Sequence, residues 1–278
     1  MAVTMAFTPR VGVCSIAFKE RSAAGALRAI AAAGADSVEL WGQPPHLPYP
    51  VDKAWCGHLR EQAAELGLSF CALGSYYCPG NHPAYDGHSV TKENQLAAAQ
   101  ALGAPIVRIW PGSAARQATE PAERERLYAE IRDFADDASD AGILVVLERH
   151  VGSLTEGWDA PLTVLAEVDH ANVALNYQVV YPAPREDLTT RAVPDYRRLL
   201  PHSRHAHLQN YVAAAGDRPP RTLIADGVVD YGELGAAARE SGYDGSFMIE
   251  FPADEPGGMS VDQAVRADVA GVRRLLSR

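Results

Sequence analysis

Several things are scarce in this chain. Basic residues are outnumbered: 25 Lys and Arg stand against 35 Asp and Glu, a formal net charge of −10. A general nucleic-acid binder normally shows a basic footprint, so that class is disfavoured. Cysteine is rare. Cys14, Cys56, Cys71 and Cys78 form neither a C-x-x-C pair nor a dense framework, and they read as reduced thiols of a cytoplasmic protein. No apolar run reaches membrane-spanning length. The opening MAVTMAFTPRVGVCS lacks a basic segment followed by a long apolar stretch, so no secretory signal is expected. Low-complexity tracts and Pro/Gly/Ser-rich linkers are missing too, which points to one domain over residues 1–278.

What is present is alternation. Strand-like apolar runs lie near 11–16, 37–41, 68–73, 105–110, 143–148, 172–178, 204–209 and 246–250. Helical patterns follow near 20–33, 51–66, 91–102, 119–140, 159–168, 188–200, 231–241 and 259–277. Gly34, Gly67, Gly103, Gly142 and Gly242 stand shortly before strands, as helix C-caps do. Short strands buried on both faces imply a parallel sheet. Eight strand–helix units in 278 residues predict a single α/β domain, a closed (β/α)₈ TIM barrel. An open doubly wound sheet is the competitor, but no G-x-G-x-x-G follows the first strand.

The stretch ILVVLERH, residues 143–150, ends five apolar residues with Glu148, Arg149 and His150. In an extended strand Glu148 and His150 share a face. Active sites of parallel barrels sit at the C-terminal strand ends, and the next three strands also end in polar residues: Gln178, His207 and Glu250. One such residue is ordinary rim polarity. Two carboxylates on a half-buried rim repel each other unless a cation or proton lies between them. With an imidazole and an amide oxygen they suit one divalent ion, with Mn²⁺ placed first and Mg²⁺, Co²⁺ and Zn²⁺ as alternatives.

The same order of segments resembles the xylose isomerase-like TIM-barrel superfamily, which includes sugar isomerases, epimerases and AP endonuclease family 2-like proteins. The resemblance rests on GVCSIAF, AAAGADSVELW, ENQLAAAQALGAPIVRIWPG, LVVLERH, HAHLQN and, most specifically, GVVDYGELGAAARESGYDGSFMIEF. It implies that Glu, Asp, His and Glu from strands five to eight hold one metal. Here the matching positions are Glu148, Gln178, His207 and Glu250, so Gln178 replaces an acid and lowers the formal ligand charge from −3 to −2. Gln178 could ligate directly, hold a metal-bound water, or mark a site that has lost its metal. Three residues on, Tyr181 stands where ketose epimerases often carry His.

The resemblance further implies proton abstraction between adjacent oxygens and a metal-stabilised enediolate, with Glu148 and Glu250 as ligands and acid–base pair. That makes an isomerase or epimerase of a sugar or keto-sugar the first reading. The E-x-H pattern of Glu148 and His150 also resembles dehydratases of the superfamily, so a carbon–oxygen or glycosidic-bond lyase is the runner-up. His150 is either a proton-transfer group or an orienting one. Aromatic residues cluster at strand ends: Trp41, Tyr76, Tyr77, Trp110, Tyr177, Tyr181 and Phe251. Trp41, Trp110 and Tyr181 are candidate substrate contacts, and Arg221 is a candidate anion-binding contact in the loop 216–227. Residues 74–88 form a long Gly-containing loop suited to a lid, within which His82 and His88 read as solvent-exposed. The expected partner is a small carbohydrate, with neither nucleic acid nor membrane; a homo-oligomer stays open. A trinuclear-zinc endonuclease would need further His and acidic ligands, and His46, His82 and His88 are poorly placed for it. A non-catalytic sugar-binding barrel would follow if Gln178 abolished metal binding.

Overall fold

The computed structural model describes residues 10–179, 185–212, 219–253 and 258–278. Eight parallel strands close into a barrel: β1 (Arg10–Cys14), β2 (Ser37–Trp41), β3 (Ser69–Gly74), β4 (Ile106–Ile109), β5 (Leu144–Glu148), β6 (Val173–Tyr177), β7 (Ser203–Leu208) and β8 (Ser246–Ile249). Each pairs with its neighbours in sequence, and β8 closes on β1 through Gly12 opposite Met248. Around them lie α1 (Ala23–Ala32), α2 (Lys53–Glu65), α3 (Lys92–Leu102), α4 (Pro121–Asp140), α5 (Ala160–Val168), α6 (Arg185–Thr190), α7 (Ala192–Leu199), α8 (Leu234–Ser241) and α9 (Val261–Leu276). The predicted barrel is therefore the observed one. Among the described residues no helix is long and apolar enough to cross a membrane.

Strand alternation sorts the core into two regions. Val13, Val38, Leu40, Val107, Ile109, Val145, Leu147, Leu208 and Ile249 belong to the large apolar cluster that the strands share with the helices. The other parity points into the barrel, where Glu39, Arg108, Glu148, Asn176, His205 and His207 are all buried. Transfer of so many polar groups from water is costly unless they satisfy one another, and this polar interior underlies the site.

The helix ends follow local chemistry. Ser22 caps α1 by accepting the N–H of Gly25, and Thr91 with Asn94 forms a reciprocal capping box on α3. Gly103 ends α3 in the left-handed region at φ 69°, which a side chain would disfavour. The single helix expected near 188–200 is instead α6 and α7, separated at Arg191. Pro194 explains the break, since inside a continuous helix its ring would clash with the carbonyl of Thr190; it falls in the first turn of α7, where it is tolerated. The loop 74–88 carries a short antiparallel ladder, Ala84–Tyr85 against His88–Ser89, and both His82 and His88 are exposed as expected.

On α9, Asp268 is buried. Its Oδ1 accepts the N–H of Ile224 at 2.7 Å, and its Oδ2 has no hydrogen-bond partner among the described residues. Burial pushes this carboxyl up to about 7. A raised acid pKa means that the folded state binds the proton more tightly than the unfolded chain. Its contribution therefore falls as pH rises from the ordinary carboxyl range to about 7, and the penalty then stays constant. Asp268→Asn keeps an acceptor for Ile224 without the charge. Denaturant unfolding should show it more stable than wild type at pH 8, with the difference shrinking by pH 4; an equal difference at both pH values would contradict the assignment.

Candidate metal centre and active-site cavity

The polar residues at the ends of β5 to β8 converge on the ring of His207. Its Nδ1 lies 3.1 Å from Gln178 Oε1, 3.5 Å from Glu250 Oε1 and 3.7 Å from Glu148 Oε1. Ligand atoms of Glu148, His207 and Glu250 all lie within 4.8 Å of one another, and all three residues are buried. One nitrogen faced by three oxygens from three other strands is a donor set with a common focus. The four residues singled out in the sequence are thus brought together, Gln178 included.

The other face of the ring is fixed by a residue that the sequence reading passed over. Glu39, on β2, receives the Nε2 atoms of both His207 and His205 on Oε2, each at 2.6 Å. A carboxylate on the far nitrogen of a ligand histidine sets its tautomer and raises its basicity. With Nε2–H donated to Glu39, Nδ1 is the nitrogen left to face the oxygen cluster, as an N–H donor when protonated and with a lone pair for a cation when not. Arg108, on β4, then joins Glu39 to the cluster: it lies 3.3 Å from Glu39 Oε1 and donates to Glu148 Oε2 at 2.7 Å. The two side chains need Gly74. A Cβ there would stand 2.4 Å from Glu39 Oε1 and 2.9 Å from Arg108 Nη2. Arg149 is no rim residue either. It pairs with the buried Asp195 at 2.5 Å and donates to the backbone carbonyl of Gln178 at 3.0 Å, holding the end of β6.

These contacts set the electrostatics. Burial works against ionisation of Glu39, but the imidazoles of His207 and His205 outweigh it and hold the carboxyl well below its ordinary range. Burial would lower His207, yet Glu39 and Glu250 overcome that and push it up to about 9. Glu250 is raised, first by burial and then by Glu148 against the opposing effect of His207. Its Oε2 is buried with no hydrogen-bond partner among the described residues. The negative field that draws a proton to His207 is one that a divalent cation would also satisfy. The orphaned Glu250 oxygen and the N/O donor set both fit such an ion, and Glu148, Gln178, His207 and Glu250 are the residues that could hold it.

Above the cluster opens a cavity of about 330 Å³. Trp41, Trp110, His150 and Arg221, all singled out in the sequence, line it, together with Tyr76, Trp158, Gln209 and Phe251. His150 is half-buried with its ring centroid 4.3 Å from that of Trp110, and its Nδ1 lies 2.6 Å from the carbonyl oxygen of Val151. Arg221 stacks on Phe251 at 4.2 Å and approaches Gln209 Oε1 at 3.3 Å. Tyr181 lies outside the described residues. Tyr77 and Tyr177, included among the strand-end aromatics, are core residues instead; Tyr77 packs on Phe134 and donates to Glu130.

A closed parallel barrel with this cluster at its C-terminal end defines a known class. Residues 27–275 match the model of the xylose isomerase-like TIM barrel family, and the chain belongs to that family. It is 23% identical over 227 residues to a 3-dehydroshikimate dehydratase of Bacillus anthracis, covering 75% of this chain and 78% of that one. Among solved structures it resembles that of a probable 3-DHS dehydratase involved in petrobactin synthesis from Bacillus anthracis (TM-score 0.74, 19% identity, 95% of this chain and 98% of that one). It also resembles a D-psicose 3-epimerase crystallised in the presence of D-fructose (TM-score 0.71, 17% identity, 97% and 100%). At such identities the structural matches establish the fold.

The neutral Gln178 yields a test of the cluster. Gln178→Asp adds a negative charge to the donor set, so hard divalent ions should bind more tightly in calorimetric titration, with turnover equal or lower. Unchanged affinity would place Gln178 outside the coordination shell.

Proposed function

We propose that this protein is a divalent-metal-dependent enzyme that removes the proton beside the carbonyl of a keto-sugar or related keto-polyol, with loss of an adjacent oxygen substituent. Glu148, Gln178, His207 and Glu250 would hold the ion, Mn²⁺ first. When bound, it would supply Lewis-acid polarisation of the substrate oxygens and so acidify the neighbouring C–H.

The observation that carries this reading is the inequality of the two acids. Glu148 is ion-paired with the buried Arg108 at 2.7 Å, so that oxygen already has a cationic partner. Glu250 has an oxygen without a hydrogen-bond partner among the described residues and a carboxyl raised by burial, which makes it the better proton acceptor of the two. Glu250 takes the proton from carbon; the C–H electrons form the new C=C bond as the C–O bond breaks, and the departing oxygen needs a proton. His150 is placed for that step. Its Nδ1–H donates to the Val151 carbonyl, so Nε2 is the nitrogen left to exchange a proton; the departing oxygen would be protonated by the imidazolium form, which returns to neutral imidazole. The Glu-x-His pattern and the similarity to a dehydratase support the same reading.

Isomerisation or epimerisation, the first reading of the sequence, begins with the same proton removal and remains the second reading. It is favoured by the presence of both Glu148 and Glu250 beside His207 Nδ1, as a pair that could serve the two faces of one carbon.

Incubation of metal-loaded protein with a panel of keto-sugars and keto-polyols in D₂O, followed by NMR, separates the outcomes. Loss of the C–H signal with release of water or an alcohol is expected. Deuterium incorporation with return of an isomer would select the second reading, and neither C–H loss nor deuterium incorporation on any substrate would contradict both. For His150→Asn, metal content should be unchanged and turnover should fall about 10²-fold, the lower end for a general acid. Normal turnover would reduce His150 to an orienting residue.

A further inference from the structure

The cavity has two chemically different halves. Its β5–β8 half carries the metal cluster and polar groups that can address hydroxyls, among them His150, Gln178 and Gln209. The opposite half, over β1–β4, is lined by Cys14, Ile16, Glu39, Trp41, Tyr76, Arg108 and Trp110. Most of its polar groups are already engaged; the exception is the Trp110 indole N–H, buried with no hydrogen-bond partner among the described residues. Glu39 and Arg108 bind each other at 3.3 Å, with His207 and Glu148 as further partners. The Cys14 thiol donates to Glu39 at 3.4 Å, and the Tyr76 hydroxyl accepts the indole N–H of Trp41 at 3.0 Å. Apart from that one donor, what that half presents is aromatic carbon. Tyr76 and Trp110 are stacked with centroids 6.1 Å apart and an interplanar angle of 26°. Trp41 is fixed by its bond to Tyr76 and by an edge contact with His46 at 5.4 Å.

A hydroxyl-rich substituent placed against this wall would lose its water and gain few hydrogen bonds, an unfavourable exchange. A flat apolar ring would lose little and gain stacking and burial. On the reading that the β5–β8 half processes a keto-sugar, we propose that the natural substrate is an aryl-substituted one. The sugar ring reacts over the metal cluster, and an aromatic substituent lies on the wall of Trp41, Tyr76 and Trp110. The wall is thus the specificity determinant of the site, selecting an aryl glycoside over a free sugar.

The test uses two probes that lack the keto group and so do not turn over: phenyl β-glucopyranoside and methyl β-glucopyranoside, titrated by calorimetry into metal-loaded protein. The phenyl glycoside should bind on the order of ten- to a hundredfold more tightly, the range expected for burying one aromatic ring. Trp110→Leu and Trp41→Leu should each reduce that ratio. Equal affinity of the two probes for the wild-type protein, or no binding of the phenyl glycoside, overturns the proposal whether or not the variants fold. The result is independent of proton removal. A phenyl preference without C–H loss or exchange on any keto-sugar would sustain the aryl site and remove the proposed reaction; C–H loss without a phenyl preference would do the reverse.

Discussion

Glu250→Gln should lower turnover by about 10⁴-fold, the upper end for loss of a general acid–base group. The substitution is close to isosteric and leaves an amide oxygen towards His207 in place of the one at 3.5 Å. It removes the proton acceptor and one unit of ligand charge together, which is why the effect should exceed that of His150→Asn. The fold should be unaffected, because the lost carboxylate oxygen has no hydrogen-bond partner among the described residues. Steady-state rates paired with thermal melts check both halves. Turnover within tenfold of wild type would show that another group accepts the proton.

Arg108→Met should produce the largest loss of stability. Arg108 is 5% exposed and is the cation between Glu39 and Glu148, each 2% exposed. Removing one member of a buried ion network leaves uncompensated charge and costs about 3–5 kcal/mol. Methionine fills much of the volume, so most of the change would be electrostatic. The unfolding midpoint in urea should fall accordingly. Adding Glu39→Gln to Arg108→Met should recover part of the loss, because one of the stranded charges is then gone. A midpoint equal to wild type would mean that the three groups are far less coupled than their distances imply.

The barrel was legible because two-sided burial gives each strand a compact apolar core, and because turn chemistry marks the intervals between them. Gly34, Gly67, Gly103, Gly142 and Gly242, read as helix ends, all have positive φ. The convergence of Glu148, Gln178, His207 and Glu250 was legible for a related reason. A strand that ends in a charged or amide side chain inside a parallel barrel brings it to the common rim, and four consecutive strands did so. Its supporting residues were harder to see. Glu39 sits inside SVELW and Arg108 inside IVRI, where a charge within a short apolar strand was itself the available signal. Their partners are 166 and 40 residues away, at His205 and Glu148, so spacing could not pair them. Gly74 was invisible as a requirement until the Glu39 and Arg108 side chains occupied the space that its Cβ would take. Arg149 looked like a rim residue beside Glu148 and His150 because strand parity says nothing about a long side chain turning back to Asp195. The distinction between Glu148 and Glu250, on which the proposed reaction rests, depends on that same hidden Arg108.

Calorimetric titration of metal-free protein with Mn²⁺, read alongside the same titration of His207→Ala, tests the central claim most directly. His207 supplies the nitrogen on which the Glu148, Gln178 and Glu250 oxygens converge. Wild type should bind one ion per chain, and the variant should lose most of that binding while keeping a cooperative unfolding transition. Failure of the folded wild-type protein to bind Mn²⁺, Mg²⁺, Co²⁺ or Zn²⁺, or undiminished binding by His207→Ala, would contradict the account.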